Sequence, residues 1–291
     1  MSVVVFPGPA GLLNNKLNAE PGPCLVPPQK KSVLGVGVSP VDYKAAVDFV
    51  MTAARRGCGV SVAAIAVHGV TTAVFDPVHR FRMNSFDLAV PDGQPIRWAL
   101  NLLHRTSLQS RVYGPQLTVE ICRAAEREDT PVYFYGSDQP VLADLERNLR
   151  ARFPRLPIAG MEPGQYRRIA PHEKRELIAR VRNSGARILF VGLGCPRQEV
   201  FAYEYRDDLS MPVLAVGAAF PFLAGRLRQA PRWMQNAGLE WLFRLGCEPR
   251  RLWRRYLLFN PAYVFFLTMQ ALKLFTPESP GTPPEKPMLF G

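Results

Sequence analysis

The sequence predicts an α/β protein: a Rossmann-like, mainly parallel sheet with helices on both faces, followed by a helical, basic C-terminal appendage. Three observations lead there. Short apolar runs alternate with segments of helical period, each about ten to fifteen residues long, between Val33 and Gly217. The runs end in glycine time after time, at Gly69, Gly93, Gly136, Gly192 and Gly217. Beyond Phe220 the chain turns strongly basic and then aromatic.

Residues 1–31 are rich in Pro, Gly and Asn and read as a loose arm. Ser32 to Val38 reads as a strand, and Asp42 to Arg56 as a helix stopped by Gly57. Gly35 and Gly37 lack the third glycine of a dinucleotide fingerprint. Val60 to Val67 is an apolar strand, and Thr71 to Phe81 a helix broken near Pro77. Phe86 to Val90 is a strand stopped by Pro91, which has no N–H for the ladder. It hands Asp92-Gly93 to a tight turn, and a helix follows from Gln94 to Leu103. Further elements are a helix Gln116–Glu128, a strand Pro131–Gly136, a helix from Ser137 or Asp138 to Phe153, and a short strand Pro157–Gly160. After them come a helix Pro171–Ser184, a strand Arg187–Gly194, a helix Gln198–Tyr205 and a strand Pro212–Gly217. Residues 32–224 form the core by this reading, 225–275 the appendage, and the Pro-rich 276–291 a loose tail.

The 291 residues suffice for a sizeable core, and the net charge of +12 asks for an anionic partner: phosphate, an acidic membrane surface or nucleic acid. Five scattered cysteines without Cys-x-x-Cys spacing read as reduced thiols of a cytosolic protein. Four histidines form no metal-ligand cluster, and no cofactor is expected. The N-terminus has no basic region leading into an apolar one, so no signal peptide is expected.

Ligands bind at the carboxyl ends of the strands in open α/β sheets, and Asp92 stands at such an end. It is either a base or the holder of its turn. His68 ends an apolar run, as a satisfied histidine or a polar contact. The glycine stops allow a backbone approach to a nucleotide phosphate, with ordinary turn chemistry as the alternative. Arg226, Arg228, Arg232, Arg244, Arg250, Arg251, Arg254 and Arg255 are offset only by Glu240 and Glu248 across 225–255. A helix entered at Pro249 puts Arg251 with Arg255 on one face and Arg250 with Arg254 on the next. Such arginines clamp a diphosphate, sit on anionic headgroups, or form a solvated basic face. Tyr256 to Phe275 is aromatic and nearly bilayer-length, but Asn260, Pro261, Gln270 and Lys273 interrupt it. It suits a helix lying in the membrane interface better than a span, with a core or oligomer helix as the third option.

Taken together, Phe86-Asp-Leu-Ala-Val-Pro-Asp-Gly93 with Arg111-Val-Tyr-Gly114, Gly192-Leu-Gly-Cys-Pro-Arg-Gln-Glu199, and Ala230-Pro-Arg-Trp-Met-Gln-Asn-Ala-Gly-Leu-Glu-Trp-Leu-Phe-Arg244 with Glu248-Pro-Arg-Arg251 resemble the WecB/TagA/CpsF glycosyltransferases, glycosyltransferase family 26. The resemblance runs in order from about Val33 to Arg255. It implies inverting, metal-independent transfer from a UDP-sugar to a polyprenyl-diphosphate-linked acceptor in cell-surface polysaccharide synthesis. Peripheral attachment to the anionic cytoplasmic face of the plasma membrane goes with it, and a free form that is a homo-oligomer. By the same resemblance Asp92 is the base, Gln198 a sugar or acceptor contact beside His68, and Arg244, Arg251 and Arg254 the diphosphate clamp. Gly136 and Gly192 then line the nucleotide site. Ala64 and Ala66 stand where the family usually has Thr-x-Asn, and Pro221 where it often has Asp. A non-catalytic UDP-sugar or lipid-diphosphate binding protein is the competing reading. The aromatic tail argues against nucleic acid as the partner.

Overall fold

The computed structural model describes residues 24–277 and 280–291. The elements are β1 (Lys31–Val33), β2 (Val36–Val38), α1 (Tyr43–Arg56), β3 (Ser61–Ile65), α2 (Val67–Phe75), α3 (Pro77–Asn84), β4 (Leu88–Pro91), α4 (Gln94–His104) and α5 (Gly114–Arg127). They continue with β5 (Val132–Gly136), α6 (Gln139–Arg152), β6 (Ile158–Glu162), α7 (Pro171–Asn183), β7 (Ile188–Gly192), α8 (Arg197–Leu209), β8 (Val213–Ala215) and α9 (Ala219–Leu223). The appendage holds α10 (Arg232–Asn236), α11 (Glu240–Cys247) and α12 (Pro249–Ala271).

Six strands form one parallel sheet in the order β4-β3-β8-β7-β5-β6, as the alternation of elements predicts. Side-chain alternation divides the core between its faces. Val62, Leu88, Val90, Phe134, Phe190 and Leu214 pack with α1, α5, α6 and α9. Ile65, Ala89, Tyr135, Leu189, Val191 and Ala215 pack with the hairpin and with α2, α4, α7 and α8. From β3 the chain passes to β4 on one side, while β8 lies on the other. The carboxyl end of β3 is therefore a topological switch point, where a doubly wound sheet opens a crevice.

Several details differ from the sequence reading. Ser32–Val38 is not one strand but an antiparallel hairpin that turns at Leu34 and Gly35, both at positive φ. Gly69 lies inside α2 rather than at a strand stop, because β3 ends early at Ile65. The expected loose arm falls partly outside the described residues, at 1–23. Within 24–31, Lys30 reaches into the body, its Nζ donating to the carbonyls of Asn84 (2.8 Å) and Phe86. The thiols are not all reduced: Cys24 and Cys58 form a disulfide, leaving Cys122, Cys195 and Cys247 free. The chain before β1 folds back on the end of α1, which a separation of 34 residues does not reveal. Nor is the tail loose at 280–291, where Phe290 bridges Arg168 and its carbonyl accepts from the Tyr205 hydroxyl at 3.0 Å. Proline there excludes helix, yet the carbonyls of Leu289 and Gly291 still meet the N–H groups of Ile169 and Tyr166.

The appendage lies along α2 and α4. Phe266 meets Phe75 edge-on, the Tyr263 hydroxyl donates to the Pro95 carbonyl at 2.9 Å, and Gln270 Oε1 accepts from the Leu34 N–H at 2.9 Å. The exposed side of α12 carries Arg250, Arg251 and Arg254 in its first turns and then turns apolar, with Leu257 and Leu258 each 65 % exposed. No helix among the described residues is long and apolar enough to cross a membrane.

Candidate active site

Asp92 is held from three sides. Its N–H donates to the Ile65 carbonyl at 2.9 Å, extending the β3–β4 ladder by one bond beyond Pro91. The edge of β4 is covered by Val112, whose N–H donates to the Pro91 carbonyl at 2.9 Å. That contact lays Arg111-Val-Tyr-Gly114 along the strand end, and the Gly114 N–H donates to Asp92 Oδ1 at 2.6 Å. Tyr43 fixes the same loop, its hydroxyl accepting from the Tyr113 N–H at 2.9 Å. Two motifs 22 residues apart thus form one corner. Gly114 sits close above β3: a Cβ there would lie 3.3 Å from the Cβ of Ala64 and 3.6 Å from Asp92 Oδ1.

The corner opens into a cavity of about 1130 Å³, roofed by the appendage. Its floor includes Ala66, His68, Asp92, Gly93 and Tyr113; its roof includes Glu240, Trp241, Arg244, Trp253, Arg255 and Phe259. Apolar side chains dominate, so the few charges work in a poor solvent. Burial pushes the Asp92 carboxyl above its ordinary value; Arg111, the Gly114 N–H and Arg244 oppose the shift, and Glu240 adds to it. Such a carboxylate is a stronger base than one in water. Burial also drives His68 down to about 3, helped by Arg255 and His79, so at neutral pH it is an uncharged ring edge-on to Phe259. Arg255 is half-buried, which lowers its pKa, and its buried Nε has no hydrogen-bond partner.

Of the residues singled out from sequence, Asp92, His68 and Arg244 line this cavity. Arg251 and Arg254 do not: both side chains are on the exposed side of α12, Arg251 paired with Glu248 at 2.5 Å and Arg254 over the Trp253 ring. Arg255 and Arg111 are the further arginines of the wall; the sequence reading held Arg255 only as one of the basic cluster and Arg111 only as part of a motif, and put neither in the clamp. The helical spacing set Arg251 and Arg255 on one stripe but could not tell which residue turns inward. Gln198 is not among the residues that line the cavity; it is buried, accepting from the Gly194 N–H at 3.0 Å and donating to Glu199 Oε1 at 2.9 Å. Among the described residues no three His, Cys, Asp or Glu side chains cluster as a metal site.

Gly136 and Gly192 sit side by side at the ends of β5 and β7, away from the cavity wall. Packing alone demands both. A Cβ on Gly136 would lie 2.7 Å from the Gly192 carbonyl carbon, and one on Gly192 would lie 2.7 Å from the Phe220 ring. Gly136 also has φ +116, which disfavours any other residue. Gly136→Ala is expected to destabilise the core by roughly 2–5 kcal/mol, from strain plus overpacking. Thermal unfolding should show it as a Tm loss of roughly 5–15 °C. An unchanged Tm with weakened UDP binding would instead assign the glycine to the nucleotide.

A strand-end carboxylate facing inward arginines under an aromatic roof is an arrangement suited to transfer onto a hydroxyl with departure of an anion. The model of the glycosyl transferase WecG/TagA/CpsF family matches residues 31–276, nearly the whole described chain. The chain belongs to the WecG/TagA/CpsF glycosyltransferase family, whose work is cell-surface polysaccharide synthesis.

Proposed function

We propose that this glycosyltransferase moves a hexose or N-acetylhexosamine, with inversion and without a required metal, from a UDP-sugar to a polyprenyl-diphosphate-linked saccharide. The setting is the cytoplasmic face of the plasma membrane, and the product feeds an exopolysaccharide, capsule or teichoic acid. Asp92 carries the reading: a half-buried carboxylate with raised basicity, its orientation fixed by the Gly114 N–H, in a cavity that also holds arginines. As the acceptor oxygen attacks the anomeric carbon, its proton passes to Asp92. The bond from that carbon to the UDP oxygen breaks, and the diphosphate leaves with the electron pair. Arg244 and Arg255 meet the charge that develops. The apolar mouth, with Trp98, Trp253 and Leu257, suits the first units of a polyprenyl chain. Arg251 and Arg254, on the exposed side of α12 beside Leu257 and Leu258, suit anionic headgroups. His68 and Gln198 are proposed sugar or acceptor contacts, Gln198 through the backbone it braces.

The assay is UDP release by vesicle-bound protein, with a panel of UDP-sugars and a polyprenyl-diphosphate saccharide. Acceptor-dependent release with one donor is the expected result and names the sugar. UDP binding without release for any donor and acceptor would favour a binding protein and reject the transferase reading.

A further inference from the structure

The joint between core and appendage is polar at the point nearest Asp92. Arg111 Nη2 lies 2.6 Å from Glu240 Oε2 on α11 and donates to Gln235 Oε1 on α10 at 3.1 Å. Both members of the pair are nearly buried, with side chains 11 % and 14 % exposed. α11 contains no buried residue, and its other anchors are partial: Trp241 meets Tyr256 of α12 edge-on, and Arg244 lies over the Phe222 ring. The nearly buried Arg111–Glu240 pair ties the helix to the loop before α5. Arg244 is one turn beyond Glu240 on the same helix, so the pair that seats Glu240 also sets Arg244 at the cavity. Gly238, just before α11, presses on the Trp98 ring of α4: a Cβ there would meet it at 2.5 Å.

We propose that Glu240 is a positioning residue for the transfer: by pairing with Arg111 it seats α11 over the site and takes up the guanidinium charge that faces Asp92. Without Glu240 two things change together. The roof helix loses its tether, and Arg111 acts on Asp92 uncompensated. The charged and titratable groups around Asp92 are Arg111 and Tyr113 from the loop before α5, Tyr43 from α1, Glu240 and Arg244 from α11, and, across the cavity, His68 from α2 and Arg255 from α12. In that set Arg111 is the strongest influence favouring the Asp92 carboxylate, and Glu240 is the carboxylate that opposes it. The appendage thus completes the site in two ways: it brings Arg244, and it frees the base from an over-strong partner.

The proposal deepens the reading of Asp92 as base, but its test does not need turnover. In the full chain with 13C-labelled aspartate carboxyls, the Asp92 resonance is assigned by its absence in Asp92→Asn and titrated in wild type, Glu240→Gln and Glu240→Asp. Glu240→Gln is expected to lower the Asp92 titration midpoint by about one pH unit, as an unshared opposite charge does. Amide exchange across residues 232–247 should accelerate roughly tenfold or more, with exchange in β3 and β4 unchanged. Glu240→Asp, which keeps the charge, should restore the midpoint in large part. Where turnover is measurable, the acid limb of the rate profile should follow the midpoint downward while kcat falls roughly tenfold. An Asp92 midpoint unmoved by Glu240→Gln overturns the proposal, and so does exchange across 232–247 equal to wild type. A transferase that proves inactive with every donor leaves both readouts intact, so the two readings fail separately.

Discussion

Asp92→Asn is expected to lower turnover by roughly 10²–10⁴-fold, the contribution of a positioned general base. The substitution is nearly isosteric, and its amide oxygen can still accept the Gly114 N–H that fixes the native carboxylate. Binding of UDP should therefore persist while the proton has nowhere to go. Folding gives an independent check. The native carboxyl is raised by burial, so its contribution to stability is present below the unfolded-state value and is lost as pH rises through the folded one. The amide has no such loss, so the Tm of Asp92→Asn should gain on that of wild type as pH rises through the folded-state value. In the wild type, the rate should fall on acidification at a pH above the ordinary carboxylate range, because the base is lost when it gains its proton. Undiminished turnover in Asp92→Asn would remove the carboxylate from the chemistry and leave it a structural brace of the Gly114 corner.

That corner was legible in the sequence only on its local side; the Gly114 N–H that completes it comes from 22 residues away. Pro91 ends a ladder for want of an N–H, and the next residue must leave a strand end. Six parallel strands were readable from apolar runs, which are local too. Legibility failed where a local pattern was carried past a tertiary change. Val60–Val67 is apolar but for Ser61, yet the sheet claims only Ser61–Ile65 and the helix takes Val67, with no side-chain cap at Ala66 to mark the boundary. The hairpin inside Ser32–Val38 hides because Leu34 adopts a positive φ that its residue type does not advertise. Glu240 looks, in one dimension, like a minor offset to a basic segment; only the path of Arg111 along β4 gives it a partner. The inward arginine is a similar case. Helical spacing fixes stripes, and the surface on which α12 packs, here α2 and α4, decides which stripe sees the cavity.

The arginines therefore divide, and the second large expected effect tests the division. Arg244→Ala and Arg255→Ala should each reduce kcat/KM by roughly 10²–10³, the loss typical of one preorganised charge donor at a developing anion. Arg251→Ala and Arg254→Ala should leave turnover of a short-chain acceptor in detergent nearly intact. Their cost should appear in binding to anionic vesicles, at about 1 kcal/mol each, or roughly fivefold. The physical ground is the state of Arg255 before substrate arrives. Arg255 is half-buried, its Nε is buried and unpaired, and Arg244 adds like charge. A cation in that condition is stabilised by any anion that enters with oxygens to offer, and a diphosphate offers several. UDP should accordingly raise the Tm of wild type, by the equivalent of about 2.7 kcal/mol at one hundred times its Kd, and raise that of Arg255→Ala much less at equal concentration. Equal losses of turnover across all four variants would show that the exposed stripe also reaches the reacting groups. The roof would then have to close further than the docked arrangement described above.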